Sequence, residues 1–277
     1  MANPNVQEFL ERDYIRDAIE QGDMDAVYSV ADEERCTFSS VLTKYLIEEC
    51  GCTAEELLDG VNKVYPYMFA KCTSIENIVL PNHIKSIEVS AFARADNLKT
   101  IVIPNSVKEL SMSAFQSCGL ESITIPGSIK KIEDNAFHGC YNLKSVVLEQ
   151  GVEEIGCHAF NGCSALQSIS IPEGVHTIRA ESFIKCSALE LIDLPTSLRR
   201  VEVSTFMDCK SIKSITLSNK LKRICSTAFY GCLGLTDIHF DGTKQEWRNM
   251  SRAEDFVMPP YEIKIHCNDG IIKAVRK

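Results

Sequence analysis

The sequence contains no uninterrupted apolar run close to the roughly 18 residues that a membrane-spanning helix needs, so we expect no membrane insertion. It also lacks a phosphate-binding loop, a nucleophile elbow and a zinc-protease motif, which argues against enzymes of those classes. Basic residues are not in excess: the net charge is −9 and the pI is near 5.3, which argues against nucleic-acid binding. The 277 residues are 45% hydrophobic and 24% charged, a composition typical of one or two folded globular domains.

The amino terminus lacks the features of a secretion signal. Such a signal needs an apolar stretch of about 7–15 residues. Here acidic residues interrupt every candidate stretch: Glu8, Glu11, Asp13, Asp17 and Glu20. We therefore expect a cytoplasmic protein, with a cell-surface or secreted location as the alternative if an export segment has been removed.

The acidic residues are concentrated at one end of the chain. Residues 1–60 contain 15 Asp or Glu and four Lys or Arg, whereas residues 61–277 contain 23 and 25. A step of this size in composition predicts a domain boundary near Gly60. We interpret the acidic segment as a solvated helical surface; an acidic patch that docks a basic partner is the alternative.

A repeat of about 23 residues occupies residues 61–241. Successive phenylalanines are separated by 23, 23, 22, 23, 23, 23 and 23 residues. The short unit has lost one residue between Cys118 and Leu120. The recurrent phenylalanines are Phe69, Phe92, Phe115, Phe137, Phe160, Phe183, Phe206 and Phe229. Three residues after each phenylalanine a cysteine occurs in seven units, and Ala95 takes that place in the remaining one.

A unit of this length is too short to enclose a core of its own. Each unit therefore exposes an apolar edge that only a neighbouring unit can cover, which predicts a stack of similar turns. The alternating segment Ser122-Ile123-Thr124-Ile125 indicates a strand with one buried face. The Ala-Phe-x-x-Cys segment is expected at a tight bend, where small residues let neighbouring turns approach.

The repeat resembles the leucine-rich repeats of the BspA-like, or Treponema pallidum, type. Its unit is L-x-x-I-x-I-P-x-x-V-x-x-I-x-x-x-A-F-x-x-C, as seen from Leu143 to Cys163, with Glu149 where proline is usual. The resemblance implies a curved right-handed solenoid used for binding, and many proteins of this type are bacterial surface adhesins. We therefore expect an α/β solenoid, a right-handed leucine-rich repeat array of about eight 23-residue units.

A stacked array needs a cap at each end to cover its terminal apolar faces. We predict a helical N-terminal cap over residues 1–60, the solenoid over residues 61–241 and a C-terminal cap over residues 242–277. In the N-terminal cap a three-four spacing of apolar residues begins at Val6 and Phe9. Asp23 is expected to cap a second helix and Thr37 to start a third, and Thr53 has capping-box spacing before a fourth.

At the C-terminal end the period stops after Phe240. A turn into a short helix is expected near Trp247, which we predict to pack over the last turn rather than to stack on a ligand. Residues 263–267 and 271–275 are expected to pair as a closing hairpin. The segment F-x-G-T-x-x-x-W is also similar to the terminal cap of many BspA-like proteins.

Thirteen cysteines are many for this length, and an odd number cannot all pair within the chain. The seven in the repeat column are predicted to be small buried hydrophobes kept reduced, as a cytosolic location favours. An oxidised ladder in an exported protein is the alternative. Cys50-Gly51-Cys52 lacks the second half of a zinc motif.

His138, Cys157 and His158 form the best metal-ligand candidate, although scattered surface residues explain them more simply. We predict no catalytic residue, cofactor or metal, and hold a metal- or thiol-dependent enzyme as a remote alternative.

The strand residues that face outward are the predicted binding surface of a non-enzymatic module that recognises a protein. They form a mostly uncharged strip of hydroxyl and valine side chains with little side-chain entropy to lose. Because Ser, Thr and Val also form strands well, repetition alone can produce this strip. The predicted contact residues are Thr100, Val102, Ser122, Thr124, Ser145, Val147, Ser168, Ser170, Leu191, Asp193, Ser214 and Thr216.

A second, largely cationic stripe follows the strands. It gives the alternative function of a bacterial adhesin that binds a host matrix protein, a glycan or a polyanion. Lysines on exposed sheet positions also protect against edge aggregation, and we prefer that interpretation. The stripe consists of Lys85, Lys108, Lys130, Glu153, His176, Arg199 and Lys222.

Overall fold

The computed structural model describes residues 10, 12–34, 38–257 and 263–274. Within the described residues, four helices with defined bounds precede the repeats. They are α1 (Asp13–Glu20), α2 (Met24–Glu34), α3 (Phe38–Glu48) and α4 (Ala54–Asp59). The expected cap of α2 is confirmed, since the Ala26 N–H donates to Asp23 Oδ1 at 3.1 Å. Val6, Phe9 and Thr37 lie outside the described residues.

The capping box at the start of α4 is also confirmed. The Thr53 side chain accepts from the Glu56 N–H at 3.1 Å, and the Glu56 carboxylate accepts from the Thr53 N–H at 2.8 Å. Two backbone N–H groups at the start of the helix, which have no partner within the helix, are thereby hydrogen-bonded by side chains of the same short segment.

Each repeat contributes two short strands, and these stack in parallel as two ladders. The first strands of the turns are β1 (Asn77–Val79), β3 (Thr100–Val102), β5 (Ser122–Ile125), β7 (Ser145–Leu148), β9 (Ser168–Ser170), β11 (Leu191–Ile192), β13 (Ser214–Ser218) and β15 (Asp237–Asp241). The second strands are β2 (Ser86–Ile87), β4 (Glu109–Leu110), β6 (Lys131–Ile132), β8 (Glu154–Ile155), β10 (Thr177–Ile178), β12 (Arg200–Val201) and β14 (Arg223–Ile224). Pairing follows the repeat columns, as in Ile123 with Val146 and Val146 with Ile169. Strand pairing is interrupted after β3 and β11 in the first ladder and after β4 and β10 in the second. The predicted solenoid of about eight turns is confirmed.

The recurrent phenylalanines form one continuous stack through the core. All eight are fully buried, and neighbouring ring centroids lie 5.2–5.5 Å apart with planes within 10° of parallel. Each of the six inner rings is therefore covered above and below by the same side chain of the adjacent turns, which no single turn could achieve.

The bends on either side of each phenylalanine place two residues per turn in the left-handed region. These positions lie two residues before and two residues after each phenylalanine. Thirteen of the sixteen are not glycine, and the other three are Gly139, Gly162 and Gly231. Around Phe183, for example, Glu181 has φ 64° and Lys185 has φ 60°. The strained bends are held by hydrogen bonds between turns, such as that from the Lys185 N–H to the Met207 carbonyl at 2.8 Å.

The cysteine column is buried, as predicted, but its thiols also donate hydrogen bonds. Cys163 Sγ donates to the Phe137 carbonyl at 3.2 Å, and Cys186 Sγ donates to the Phe160 carbonyl at 3.2 Å. Burial raises the pKa of the Cys163 thiol to about 12. The twelve cysteines among the described residues are all free thiols.

The helical cap joins the first turn through polar as well as apolar contacts. The Tyr65 hydroxyl donates to Asp25 Oδ1 at 2.9 Å, and the Asp25 N–H donates to the Gly60 carbonyl at 2.9 Å. The Tyr28 and Tyr65 rings stack with centroids 5.8 Å apart. Within the described ranges, no helix combines the length and the apolar character that crossing a membrane requires.

The C-terminal cap contains helix α5 (Lys244–Asn249) and strands β16 (Ser251–Arg252), β17 (Ile263–Cys267) and β18 (Gly270–Ala274). The predicted hairpin is present as the antiparallel pair β17–β18. Trp247 is buried with its ring edge-on to Phe240, 5.4 Å between centroids, which confirms its packing role.

The ladders continue beyond the point where the sequence period stops. β16 pairs in parallel with β14, and β17 pairs in parallel with β15 through partners such as Ile238 and Ile265. The cap therefore supplies one further strand to each ladder before the hairpin closes the sheet.

Candidate functional site

The outward side chains of the first ladder form one surface, which we call the strand face. Ten of the twelve predicted contact residues are exposed on it, and Ser145 and Ser214 are half-buried. In-register pairing aligns equivalent side chains, so that the Thr100 hydroxyl donates to Asn77 Oδ1 at 2.6 Å. The structure brings the predicted residues together, and their role in binding stays a prediction.

The strand face changes in polarity along its length. Toward the N-terminal end it exposes aliphatic side chains, with Val79, Val102 and Val147 at 60%, 56% and 45%. Toward the C-terminal end it carries imidazoles: His239 stacks on His266 with ring centroids 4.7 Å apart. His266 Nε2 and Asp237 Oδ1 lie 2.6 Å apart. The N-terminal half therefore carries most of the exposed aliphatic groups, and Leu191, 60% exposed, adds one in the C-terminal half.

A concave groove of about 800 Å³ lies on the apolar end of the strand face. It spans the junction between β3 and β5, and in the described part of the chain no ladder hydrogen bonds join these two strands. The groove floor and walls include Thr100, Val102, Ser122, Thr124, Ser145 and Val147. The groove thus contains half of the predicted contact residues.

This junction is also where the repeat has lost a residue. The shortened loop contains Gly119, where a Cβ atom would lie 2.0 Å from the Asp96 carbonyl oxygen, so that only glycine fits. The 22-residue spacing was the available signal in the sequence. It shows that one turn is irregular, but it does not show that the irregularity opens a groove in the strand face.

The groove is nearly neutral in charge. Its lining side chains include no lysine or arginine and one carboxylate, Glu149. The Ser106 hydroxyl at its edge is buried without a hydrogen-bond partner. At the equivalent position of the next turn, Ser128 Oγ donates to the Val107 carbonyl at 2.6 Å. The groove therefore offers hydroxyl groups and apolar surface, but no arrangement of acid, base and nucleophile.

Three of the five Lys or Arg side chains of the cationic stripe make contacts within the chain. Lys130 Nζ lies 3.5 Å from Glu153 Oε1, and Lys108 Nζ donates to the Asn105 carbonyl at 2.9 Å. Arg199 donates to the Thr196 and Ser197 carbonyls at 3.0 and 2.8 Å. The charge of Lys130 is partly neutralised, and the Lys108 and Arg199 side chains are fixed by hydrogen bonds to carbonyl groups. Both effects weaken the electrostatic attraction that the stripe exerts on an anionic polymer.

Of the metal-ligand candidates, His158 contacts neighbouring side chains, whereas His138 Nδ1 is buried without a hydrogen-bond partner. His158 Nδ1 lies 3.1 Å from Asn161 Nδ2 and 3.5 Å from Glu181 Oε2. Burial, together with the nearby His158, lowers the pKa of His138. Over the residues that the structure covers, no group of three or more His, Cys, Asp or Glu side chains could hold a metal ion.

The stacked turns, with strands on one side and a phenylalanine column inside, define a leucine-rich repeat solenoid. Residues 62–190 and 130–251 match the family model of the BspA type leucine rich repeat region, in six copies. The matched segments cover well over half of the chain, and the chain belongs to this family.

Three solved structures of bacterial proteins are similar to this chain to different degrees. A leucine-rich repeat protein from Bacteroides ovatus is 25% identical with a TM-score of 0.55, over 73% of this chain and 58% of that one. The chain thus spans somewhat more than half the length of that relative. The Treponema pallidum leucine rich repeat protein is 25% identical with a TM-score of 0.48, over 64% of this chain and 72% of that one. The pneumococcal vaccine antigen PcpA is 22% identical with a TM-score of 0.41, over 75% of this chain and 66% of that one. No curated protein matches the sequence.

Proposed function

We propose that the protein is a non-enzymatic binding module whose strand face, centred on the groove, recognises another protein. The observation that carries this proposal is the row of exposed valines Val79, Val102 and Val147 beside in-register hydroxyl groups. Burying exposed aliphatic surface contributes about 25 cal/mol per Å². The strand backbone is already ordered, so binding costs little further conformational entropy.

A protein partner fits the groove better than a glycan or a polyanion. Sugar rings commonly pack on aromatic side chains, and an anionic polymer needs cations, whereas the groove lining contains neither an aromatic nor a basic side chain. Methyl and hydroxyl groups complement the mixed surface of a neutral polypeptide segment.

The strand face can be tested with three lysine substitutions. Thr100→Lys, Thr124→Lys and Ser168→Lys are all at exposed positions, so the triple variant should fold and lose partner capture from lysate and culture medium of the native host. Burial of three charges in an apolar contact has a large desolvation cost. Captured proteins are quantified by mass spectrometry against the unmodified chain.

The matched control places the same charges elsewhere. Asn142→Lys, Ser164→Lys and Asn219→Lys are exposed positions on loops outside the strand face, and this variant should capture partners as the unmodified chain does. Equal capture by both triple variants would show that the strand face is not the binding surface.

Salt dependence distinguishes protein recognition from the adhesin alternative. Capture of an anionic polymer by the cationic stripe should weaken steeply with added salt, whereas hydroxyl and valine contacts should change little. A steep loss between about 0.05 and 0.5 M salt would favour the stripe.

We further place the protein in a reducing compartment, consistent with a cytoplasmic location. The column thiols that hydrogen-bond to the phenylalanine carbonyls do so only in their protonated, reduced form. Cell fractionation with an antibody against the chain tests this placement; recovery outside the cell would favour the exported alternative.

A further inference from the structure

Two thiols lie one residue apart in the helical cap, away from the cysteine column. Cys50 and Cys52 follow α3, and Gly51 separates them. Cys50 is exposed and Cys52 is half-buried, whereas the cysteines of the repeat column are buried. This pair is therefore accessible to reagents in solution in a way that the column is not.

The backbone fixes the two cysteines on either side of a sharp reversal. Gly51 has φ +76°, and the Cys52 N–H donates to the Leu46 carbonyl at 3.0 Å. The left-handed glycine lets the chain turn back over the last turn of α3, as is common at the C-terminal ends of helices. Since consecutive Cα atoms are about 3.8 Å apart, such a reversal keeps the Cα atoms of Cys50 and Cys52 within about 7 Å, the range of disulfides.

We propose that Cys50 and Cys52 form a reversible disulfide by exchange with a small-molecule disulfide of the glutathione class. The loop can accept the reagent, because an added Cβ at Gly51 would meet no atom within 4 Å. Burial is the main cause that raises the pKa of Cys52, and the nearby charge of Cys50 is the second. The second cause reflects the short distance between the two thiols.

The exchange proceeds in two balanced steps. The Cys50 thiolate attacks one sulfur of the small disulfide, forms a mixed disulfide and releases the first small thiolate. The Cys52 thiolate then attacks the sulfur of Cys50, closes the protein disulfide and releases the second. Two electrons pass from the cysteine pair to the small disulfide, and the two protons lost by the cysteines protonate the departing thiolates.

The column thiols are not placed for this chemistry. They are buried, and burial raises the pKa of Cys118 and Cys163 to about 12. A thiol that is both buried and protonated does not reach a disulfide in solution, whereas Cys50 is exposed. The pair in the cap, and not the column, would therefore follow the redox state of the surroundings.

The test uses the full chain in native buffer with glutathione disulfide, followed by an acid quench, alkylation and trypsin. Cleavage after Lys44 and Lys63 gives a peptide that contains Cys50 and Cys52 and no other cysteine. We expect this peptide to be unalkylated and lighter by two hydrogen atoms, and a dithiol reductant to restore two alkylation sites. The column thiols should become alkylated only after denaturation.

Cys52→Ser is the matched control, because it removes the resolving thiol with little change in size. In this variant a stable glutathione adduct should accumulate on Cys50, at least tenfold above its level in the unmodified chain. If the unmodified peptide carries only free thiols or single glutathione adducts in an excess of glutathione disulfide, the proposal is wrong. That result would leave the proposed function of the strand face untouched.

Discussion

At the scale of single residues, the phenylalanine stack makes a large prediction for stability. Phe160 is fully buried between Phe137 and Phe183, with centroids 5.2 and 5.3 Å away. Phe160→Ala should lower the free energy of unfolding by about 3–5 kcal/mol, because it opens a cavity that the adjacent rings cannot fill. Urea denaturation measures the change. Tyr141→Ala, at a position 64% exposed, should change it by no more than about 0.5 kcal/mol; equal effects would contradict the stacking role.

The buried thiols predict a loss of stability in alkali. Burial raises the folded-state pKa of Cys163 to about 12, whereas an unfolded thiol titrates near about 8.5. Above about pH 8.5 the unfolded chain releases the Cys163 proton, whereas the folded chain retains it. The contribution of this thiol to the free energy of unfolding is therefore complete below about pH 8.5. It falls by about 1.4 kcal/mol per pH unit between there and about pH 12. Cys163→Ala removes this group.

The stability difference between the unmodified chain and Cys163→Ala should therefore shrink as the pH rises from about 8 to 11 in reducing buffer. Urea titrations of both proteins at each pH measure the difference, and the comparison cancels the titration of all other groups. A difference that stays constant over this range would show that the Cys163 thiol is not buried as described.

At the scale of elements, the short turn depends on its glycine. An alanine Cβ at position 119 would lie 2.0 Å from the Asp96 carbonyl oxygen, a contact that forces the backbone of two turns apart. Gly119→Ala should lower the free energy of unfolding by about 1–3 kcal/mol. Gly174→Ala is the matched control, because its Cβ would lie 3.4 Å from the Val152 carbonyl oxygen, an ordinary contact distance. Thermal melts of the two variants measure the difference. Equal melting temperatures would contradict the close approach at Gly119.

Elements whose signals are local were predictable from the sequence. The capping box of Thr53 and Glu56 needs only two side chains three residues apart, and the strand at Ser122–Ile125 needs only alternation. The left-handed conformations of Glu181 and Lys185 carry no such signal, because neither residue favours them; hydrogen bonds from the adjacent turn impose them.

Other features depend on tertiary contacts that no short pattern encodes. Strands β16 and β17 join the ladders without repeating the phenylalanine and cysteine spacing. The periodicity therefore gave no indication that the ladders extend into the C-terminal cap. The twelve strand-face positions followed from alternation, yet the groove among them lies across three successive turns, at a break between β3 and β5 that alternation does not encode.

At the scale of the whole molecule, the solenoid predicts that one complete turn can be removed. Deletion of residues 144–166 joins Leu143 to Gln167 at equivalent positions of the repeat. The shortened chain should fold cooperatively with its caps in place, and its urea m-value should fall by about one twelfth, in proportion to the share of the chain that is removed.

A deletion that is not a whole turn serves as the control. Removing residues 144–154 takes out about half a unit and places strand residues against bend residues of the next turn. This variant should be unfolded or aggregated, as judged by circular dichroism and size-exclusion chromatography. If both deletions fold equally well, the turns are not the cooperative units that the stack implies.

The near-constant spacing of the phenyl rings has a geometric consequence. Since each added coil lengthens the phenylalanine stack by one ring-to-ring distance of 5.2–5.5 Å, the separation between the helical end and the closing hairpin changes in fixed steps. Natural or engineered relatives that gain or lose coils would act as molecular rulers, holding whatever is attached to their two ends at distances set by counting.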